Sequence, residues 1–273
     1  MAGVILFLTD YGLDDEFVGV CHAVMAAAAP EVRVIDLAHG VPPGDVRRGA
    51  LSLLAAVPHA PPGAVLLAVV DPGVGTGRRA IAAEAGGAVL VGPDNGLLSP
   101  AWEALGGVDR AVEIDAASVA RRRVSATFHG RDVFAPAAAR LATGVALEEV
   151  GRPVDPGSLA RIDLPTPRRQ EGALGTEVIG VDRFGNVQLG ARPSDLGHSG
   201  LLEAGIAVGL PEQTFRCRRV RAFADLEEDE LGLLEDSAGW LALVRRGGSA
   251  AARLGVKPGD GLLLSWPAWD SAS

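Results

Sequence analysis

From Val4 to about Thr143 the chain alternates short apolar runs with helical stretches, and no other feature constrains its fold as much. A strand, a helix and a second parallel strand join through a right-handed crossover, so the pattern implies an α/β domain with a largely parallel sheet. Val4 to Leu8 reads as the first strand, Glu16 to Ala29 as a helix ended by Pro30, and Val32 to Leu37 as the next strand. Asp45 is placed to cap a helix running to about Ala56, and an apolar run from Ala64 to Val70 follows. Apolar character resumes at Ala80-Ile81, Val89 to Gly92 leads into Pro93-Asp94-Asn95-Gly96, and Arg131 or Asp132 opens an alanine-rich helix to about Thr143.

The pattern then changes. Prolines and mixed charges between Gly151 and Gly172 carry no sustained periodicity and read as a linker. Beyond it the runs are short and strand-like: Glu177 to Val181, Ile206 to Val208, Phe215 to Val220, Leu231 to Leu234, Trp240 to Val244 and Gly261 to Ser265. That spacing predicts a smaller all-β domain, a sandwich or a barrel.

Composition sets outer bounds on function. With 48% hydrophobic residues, 273 residues suffice for one large core or two modest ones. A formal net charge of -9 argues against nonspecific nucleic-acid binding, and the densest basic run, Arg121-Arg122-Arg123, reads as a solvated turn. Cys21 and Cys217 are the only cysteines, and Cys21 lies in a helical pattern, so no disulfide framework is expected and a reducing cytoplasm fits. Val4 to Leu8 lacks a basic leader and meets Asp10 too early for a signal peptide, and no apolar run is long enough to span a bilayer. Neither export nor membrane insertion is expected.

Four loops put small and polar residues where strands end: Thr9 to Asp15, Asp71 to Arg79, Gly92 to Gly96, and Thr127 to Asp132. In open α/β sheets ligands sit outside such strand ends. Asp71, Arg78 and His129 hold what water activation needs: a carboxylate to orient, a fixed cation to favour hydroxide, and an imidazole that can take a proton. The same residues admit a plainer reading, with Asp71 capping its own turn, Arg78 a surface charge and His129 a satisfied buried histidine; spacing does not decide between the two. Asp10 is placed to accept ribose hydroxyls, Asp15 to cap the following helix or bind ligand, and Asn95 to bind ligand or serve only its turn. His22, His39, His59 and His198 lack a metal-ligand pattern and read as structural or exposed. In the second half, Asp182-Arg183-Phe184-Gly185-Asn186 reads plainly as a hairpin turn and Asp236 to Trp240 as a bend.

Taken together, Thr9-Asp10 through Asp15, Val69 to Gly75, Arg78-Arg79, Gly92 to Leu98, Thr127 to Asp132, Asp182 with Phe184-Gly185-Asn186, and Ser237 through Ser249 resemble the S-adenosylmethionine hydrolase (adenosine-forming) family. These enzymes are also called S-adenosylmethionine hydroxide adenosyltransferases and are related to the fluorinases and chlorinases. The resemblance implies a catalytic α/β domain, placed at 1–160, and a β-domain, placed at 161–273, that contributes adenine and methionine contacts. It implies hydrolysis of S-adenosylmethionine to adenosine and L-methionine with no cofactor and no metal, in a cytoplasmic homotrimer whose active sites lie between subunits. Asp71, Arg78 and His129 match its water-activating triad, and Asp10 matches its ribose acid. Asp15, Asp182 and Ser237 match methionine-side positions, Asn186 and Arg245 adenine-side positions, and Phe184 and Phe223 the residues flanking the base. Asn95 and Phe128, within the matching loops, complete the substrate-binding set.

Position 71 separates subfamilies: halogenating relatives carry tyrosine there, whereas the only tyrosine here is Tyr11. Gly130 stands where a fluorinase has serine, Gly44 where it has a ribose-side tryptophan, and Ala238 where it has arginine; Gly190 falls where the family continues toward a second asparagine. Three rivals remain: halide transfer, a nucleoside hydrolase, whose calcium-binding opening Thr9 to Asp15 resembles although Leu8 replaces its first acid, and a noncatalytic nucleoside-binding protein. Gly248 to Asp260 also looks like the tail of a PDZ domain, with a shared helix-turn-strand pattern as the preferred explanation.

Overall fold

A computed structural model describes residues 3–120, 124–197 and 205–266. The run Arg121-Arg122-Arg123 and His198 lie outside the described residues. The chain forms two compact units, Met1–Ile162 and Asp163–Ser273.

In chain order the first unit contains β1 (Val4–Thr9), α1 (Phe17–Ala28), β2 (Arg33–Ala38), α2 (Val46–Ala56), β3 (Val65–Val69), β4 (Ala80–Ala85), β5 (Ala88–Pro93), α3 (Ser99–Ala104), β6 (Arg110–Ile114), α4 (Ala116–Val119), α5 (Ala135–Ala142) and β7 (Gly151–Val154). Its seven-stranded sheet runs β2-β1-β3-β5-β4-β6-β7. The α/β architecture stands, with one refinement: β2, β1, β3 and β5 are parallel, whereas β4, β6 and β7 pair antiparallel. The switch happens at Gly86-Gly87, both at positive φ (53° and 79°), which turn β4 into β5 with Ala85 opposite Ala88. Two consecutive positive φ values are what a tight hairpin turn demands and what glycine supplies at little cost.

Apart from Thr9 at the end of β1, β1 and β3 are apolar throughout because helices cover both faces of the sheet. Ile5, Phe7, Val65, Leu67 and Val69 pack with Cys21 and Met25 of α1 and Ala138 of α5. Leu8, Leu66, Ala68 and Val70 face the other way, against Ala50 and Leu53 of α2 and Trp102 of α3. Full burial of each large side chain contributes roughly 1.5–3 kcal/mol before entropy is counted, so the strand ends carrying the loops are anchored on both faces. Asp45 caps α2 by accepting from the Arg48 N–H at 2.9 Å. The helix after His129 begins earlier than its sequence suggests: a π-helical turn, Gly130–Phe134, runs directly into α5.

The segment read as a linker is partly structured. Gly151–Val154 forms β7, antiparallel to β6, and the chain beyond it is held by Asp94, which accepts from Ala160 N–H at 2.7 Å and pairs with Arg79. Arg79 also donates to the Ser158 carbonyl and hydroxyl.

The second unit contains β8 (Arg168–Gln170), β9 (Ala173–Val181), β10 (Val187–Leu189), β11 (Ile206–Gly209), β12 (Thr214–Arg219), β13 (Leu231–Glu235), β14 (Leu241–Arg245), α6 (Ala250–Leu254) and β15 (Gly261–Ser265). Strands β9-β10-β14-β13-β12-β11-β15 close back onto β9, forming a seven-stranded barrel with β8 paired outside. Closure leaves no long edge within the ring. Leu174, Val178, Leu189, Val208, Leu243 and Leu264 fill its interior. The PDZ-like stretch is the helix-turn-strand pattern of this barrel: Ser249 caps α6, Gly255 follows it at φ 69°, and β15 closes the ring. No helix among the described residues is long and apolar enough to cross a membrane.

Candidate active site

β3 ends at Val69, and buried Val70 delivers Asp71 into a loop that returns at Arg78 just before β4. The loop can approach the segment leading to His129 because position 75 is glycine: φ there is 77°, and a β-carbon would lie 2.5 Å from the Ala126 carbonyl oxygen. Asp71 turns its carboxylate to Arg78. The guanidinium Nε donates to Oδ1 and Oδ2 at 3.0 and 3.1 Å, and Nη2 closes a second bond to Oδ2. The side chains are 5% and 11% exposed, so this pair is largely withdrawn from water, and charge-assisted bonds are strongest there.

Arg78 Nη2 also lies 2.9 Å from His129 Nδ1. A guanidinium has only donors, so His129 accepts at Nδ1 and carries its proton on Nε2. Burial, then the Arg78 charge, holds the imidazole pKa below its ordinary 6.5, opposed by Asp71 and Asp132. Neutral imidazole is therefore the form this site stabilises. Arg78 is further held over the Phe134 ring at 5.1 Å.

A cleft of about 420 Å³ opens on this cluster, lined by Asp10, Tyr11, Asp71, Phe128 and His129 among others. Asp10 leaves β1 and accepts from Gly44 N–H at 2.8 Å. Burial raises its pKa, with the charge of Asp71 adding to the rise and backbone N–H groups opposing it. Tyr11, Phe17 and Phe128 meet edge to face, centroids 5.2–6.0 Å apart, as an apolar wall. Burial pushes the Tyr11 pKa up, so the phenol keeps its proton. In the sequence Tyr11 stands out as the single tyrosine, and its place directly after Asp10 at a strand end is the signal for its role in the wall.

Gly130 is required by this wall. A β-carbon there would overlap the Tyr11 hydroxyl and sit 3.0 Å from ring atom Cζ, and the ring cannot swing freely between Phe17 and Phe128. Gly130→Ser is expected to destabilise the fold by about 1–3 kcal/mol, read as a lowered midpoint in thermal melting.

The lowered pKa of His129 also has a sign. As pH falls below 6.5 the unfolded chain takes up this proton before the folded one, so native stability declines through the window between the folded pKa and 6.5. Once protonated, the imidazolium cannot accept from Arg78. Any turnover at this site is expected to show an acidic limb below pH 6.5 that shifts in His129→Asn, measured as kcat/KM against pH.

Asp15 is exposed and does not cap α1, whose N-cap is Glu16, without a side-chain cap hydrogen bond. Asn95 spends its amide on backbone, donating to Val70 carbonyl at 2.9 Å and accepting from Leu97 N–H at 3.1 Å, which braces the strand end carrying Asp71. In the second unit, Phe184, Asn186, Phe223 and Arg245 line a cavity of about 510 Å³. Phe184 is 72% exposed, an unusual setting for a large aromatic ring. Asp182 does not line that cavity: its carboxylate accepts the N–H groups of Phe184 and Asn186 and the Asn186 amide, fixing the hairpin. Ser237 is exposed on the turn between β13 and β14, where Asp236 accepts Ala238 and Trp240 N–H.

Chemically, the first cleft offers a carboxylate, a desolvated fixed cation and a neutral imidazole within one hydrogen-bonded chain, beside a second acid and an aromatic wall. This equipment suits a polar nucleophile next to a cationic, nucleoside-sized ligand. Residues 5–151 match the model of the SAM hydroxide adenosyltransferase N-terminal domain and residues 176–263 that of the C-terminal domain. The chain belongs to the SAM hydroxide adenosyltransferase family. Among its relatives, the (R)-S-adenosyl-L-methionine hydrolase of Salinispora tropica is 52% identical over 96% of this chain and 97% of its own. The protein of the same name from Thermus thermophilus is 43% identical over 93% and 96%. A crystal structure of an uncharacterised conserved protein from Thermotoga maritima superposes with a TM-score of 0.91 at 36% identity, covering 96% of this chain and 99% of that one. These SAM hydroxide adenosyltransferase matches extend over both units, so the barrel belongs to the family as much as the sheet does.

Proposed function

We propose that this chain hydrolyses S-adenosyl-L-methionine to adenosine and L-methionine, without a metal or cofactor, by attack of water at the ribose C5′. One observation carries the reading: Arg78 binds the Asp71 carboxylate and the His129 ring at once, beside the cleft that Asp10 also lines. A sulfonium is already an activated leaving group, so the chemistry needs no acid; it needs a held, partly dehydrated water in line with the C–S bond. Asp71 orients that water and takes its proton as the new C5′–O bond forms. Arg78 stabilises hydroxide character on the attacking oxygen. His129, its Nδ1 committed to Arg78, keeps the guanidinium in register.

Asp10 accepts the ribose hydroxyls, Phe128 walls the sugar, and Asn95 steadies the loop beneath them. The cavity of Phe184, Asn186, Phe223 and Arg245 takes the adenine, while Asp15, Asp182 and Ser237 serve the methionine end. The functional unit in this proposal is a cytoplasmic homotrimer with sites between subunits, for which light scattering should give three chains per particle; a fully active monomer would remove it.

Halide transfer is disfavoured because a halide placed at Asp71 would face a carboxylate of like charge. Chromatography of the purified enzyme with S-adenosylmethionine and a chelator, with and without chloride, should yield adenosine and methionine in equal amounts under both conditions. A 5′-halo nucleoside would reassign the reaction, free ribose and base would point to a nucleoside hydrolase, and binding without turnover would make the chain a nucleoside sensor.

A further inference from the structure

Three side chains of the first unit that take no part in that chemistry converge in a way their positions in the sequence do not suggest. His22 on α1 and His39, directly after β2, both bring Nε2 to Oδ1 of Asp36 on β2, at 2.8 and 3.1 Å. One donor atom from each lies within 4.8 Å of the other two. The His39 side chain is only 3% exposed. Its Nδ1 lies 2.9 Å from Thr9 Oγ1, and its buried Nε2 has the Asp36 carboxylate at ion-pair distance but no well-formed hydrogen bond.

A buried imidazole nitrogen is seldom left without a partner. His22 Nε2 already hydrogen-bonds Asp36 Oδ1, and His39 Nε2 meets the same oxygen from the other side at ion-pair distance, so the three donors converge on one small region, as ligands do around a cation. In a tetrahedral shell with bonds of ~2.0–2.1 Å, neighbouring donors sit about 3.3 Å apart; the 3.1 Å separation is close to that value, and the 2.8 Å one would open by about half an ångström. Thr9 holds the other ring nitrogen of His39, the outer contact that fixes the tautomer of a metal-bound histidine.

We propose that His22, Asp36 and His39 bind one divalent transition-metal ion of the zinc class, with a further coordination position open to water. Two imidazoles select such an ion over calcium or magnesium, which take oxygen ligands. The exposed Asp36 and partly exposed His22 give it a way in. The site lies outside the reaction. Its effect is on the loop behind the cleft: Thr9 Oγ1 also accepts the Tyr11 N–H at 3.2 Å, and the His39 carbonyl accepts the Gly12 N–H at 2.8 Å. An ion here fixes both ends of the segment that carries Asp10.

The test is titration of zinc chloride into the full-length protein after chelation and dialysis, by calorimetry and thermal melting. One equivalent per chain is expected, with a melting midpoint raised by the added ion. His22→Ala, which removes a partly exposed ligand and leaves the core intact, and Asp36→Asn are each expected to weaken binding at least tenfold, whereas His59→Ala leaves it unchanged. Absence of saturable uptake, or uptake undiminished in both His22→Ala and Asp36→Asn, would overturn the proposal. Because the readout is zinc binding, the result stands whether or not the chain hydrolyses S-adenosylmethionine.

Discussion

Arg78→Ala is expected to lower kcat/KM by about 10³-fold. The magnitude follows from two losses. The guanidinium is the fixed positive charge at the attacking oxygen, and removing one preorganised donor of this kind typically costs roughly 10²- to 10³-fold. Its removal also strands the Asp71 carboxylate, 5% exposed, without a counter-charge. Without that partner the carboxylate is no longer held in the orientation that presents it to the attacking water. Arg78→Lys should rescue little: a lysine is a compact point charge, whereas Arg78 spans Asp71 and His129 with a planar fork. Steady-state kinetics beside circular-dichroism melting separates chemistry from unfolding, since losing one partner of a buried pair also destabilises by up to about 3–5 kcal/mol. A folded Arg78→Ala enzyme within threefold of wild type would show that this residue only holds the loop.

Asp71→Asn is the second large effect, expected at about 10²- to 10⁴-fold in kcat. The substitution keeps the side chain's size and one accepting oxygen, so loop and cleft survive, but an amide neither takes a proton nor balances Arg78. KM should move much less than kcat, because the group acts on the water and not on the nucleoside. The two residues work as one unit, so Asp71→Asn combined with Arg78→Ala should be scarcely slower than the slower single variant. Multiplicative losses would instead mean that each residue acts alone.

The first unit's framework was legible because β1 and β3 are unbroken apolar runs punctuated by Pro30, Asp45 and Gly-rich loops, and local chemistry sets those boundaries. The turn to antiparallel pairing departs from the parallel sheet that the strand-helix alternation implies; its local signal is Gly86-Gly87 between two apolar runs, a hairpin turn. β7 was hidden for a different reason: Gly151-Arg152-Pro153-Val154 has no strand-like local preference and is ordered by pairing with β6. β8 and β10 have three residues each and fall below any periodicity. In the site, the loops bearing Asp71, Arg78 and His129 stood out by composition, but that Arg78 would touch both others depends on Gly75 lying against Ala126, a contact between distant segments. Asp94 shows the converse. Its loop resembles the ligand-bearing ones in composition, yet the carboxylate pairs with Arg79 and holds Ala160. His22 and His39 carried no ligand spacing because a helix and a strand end bring them to Asp36.

The most direct measurement of the central claim is hydrolysis of S-adenosylmethionine in water enriched in oxygen-18, with mass spectrometry of both products. Attack at C5′ breaks the C5′–S bond and forms C5′–O, so adenosine should carry one labelled oxygen in its 5′-hydroxyl and methionine none. Adenosine without the label, or cleavage releasing free adenine, would mean that water activated at Asp71, Arg78 and His129 does not attack that carbon.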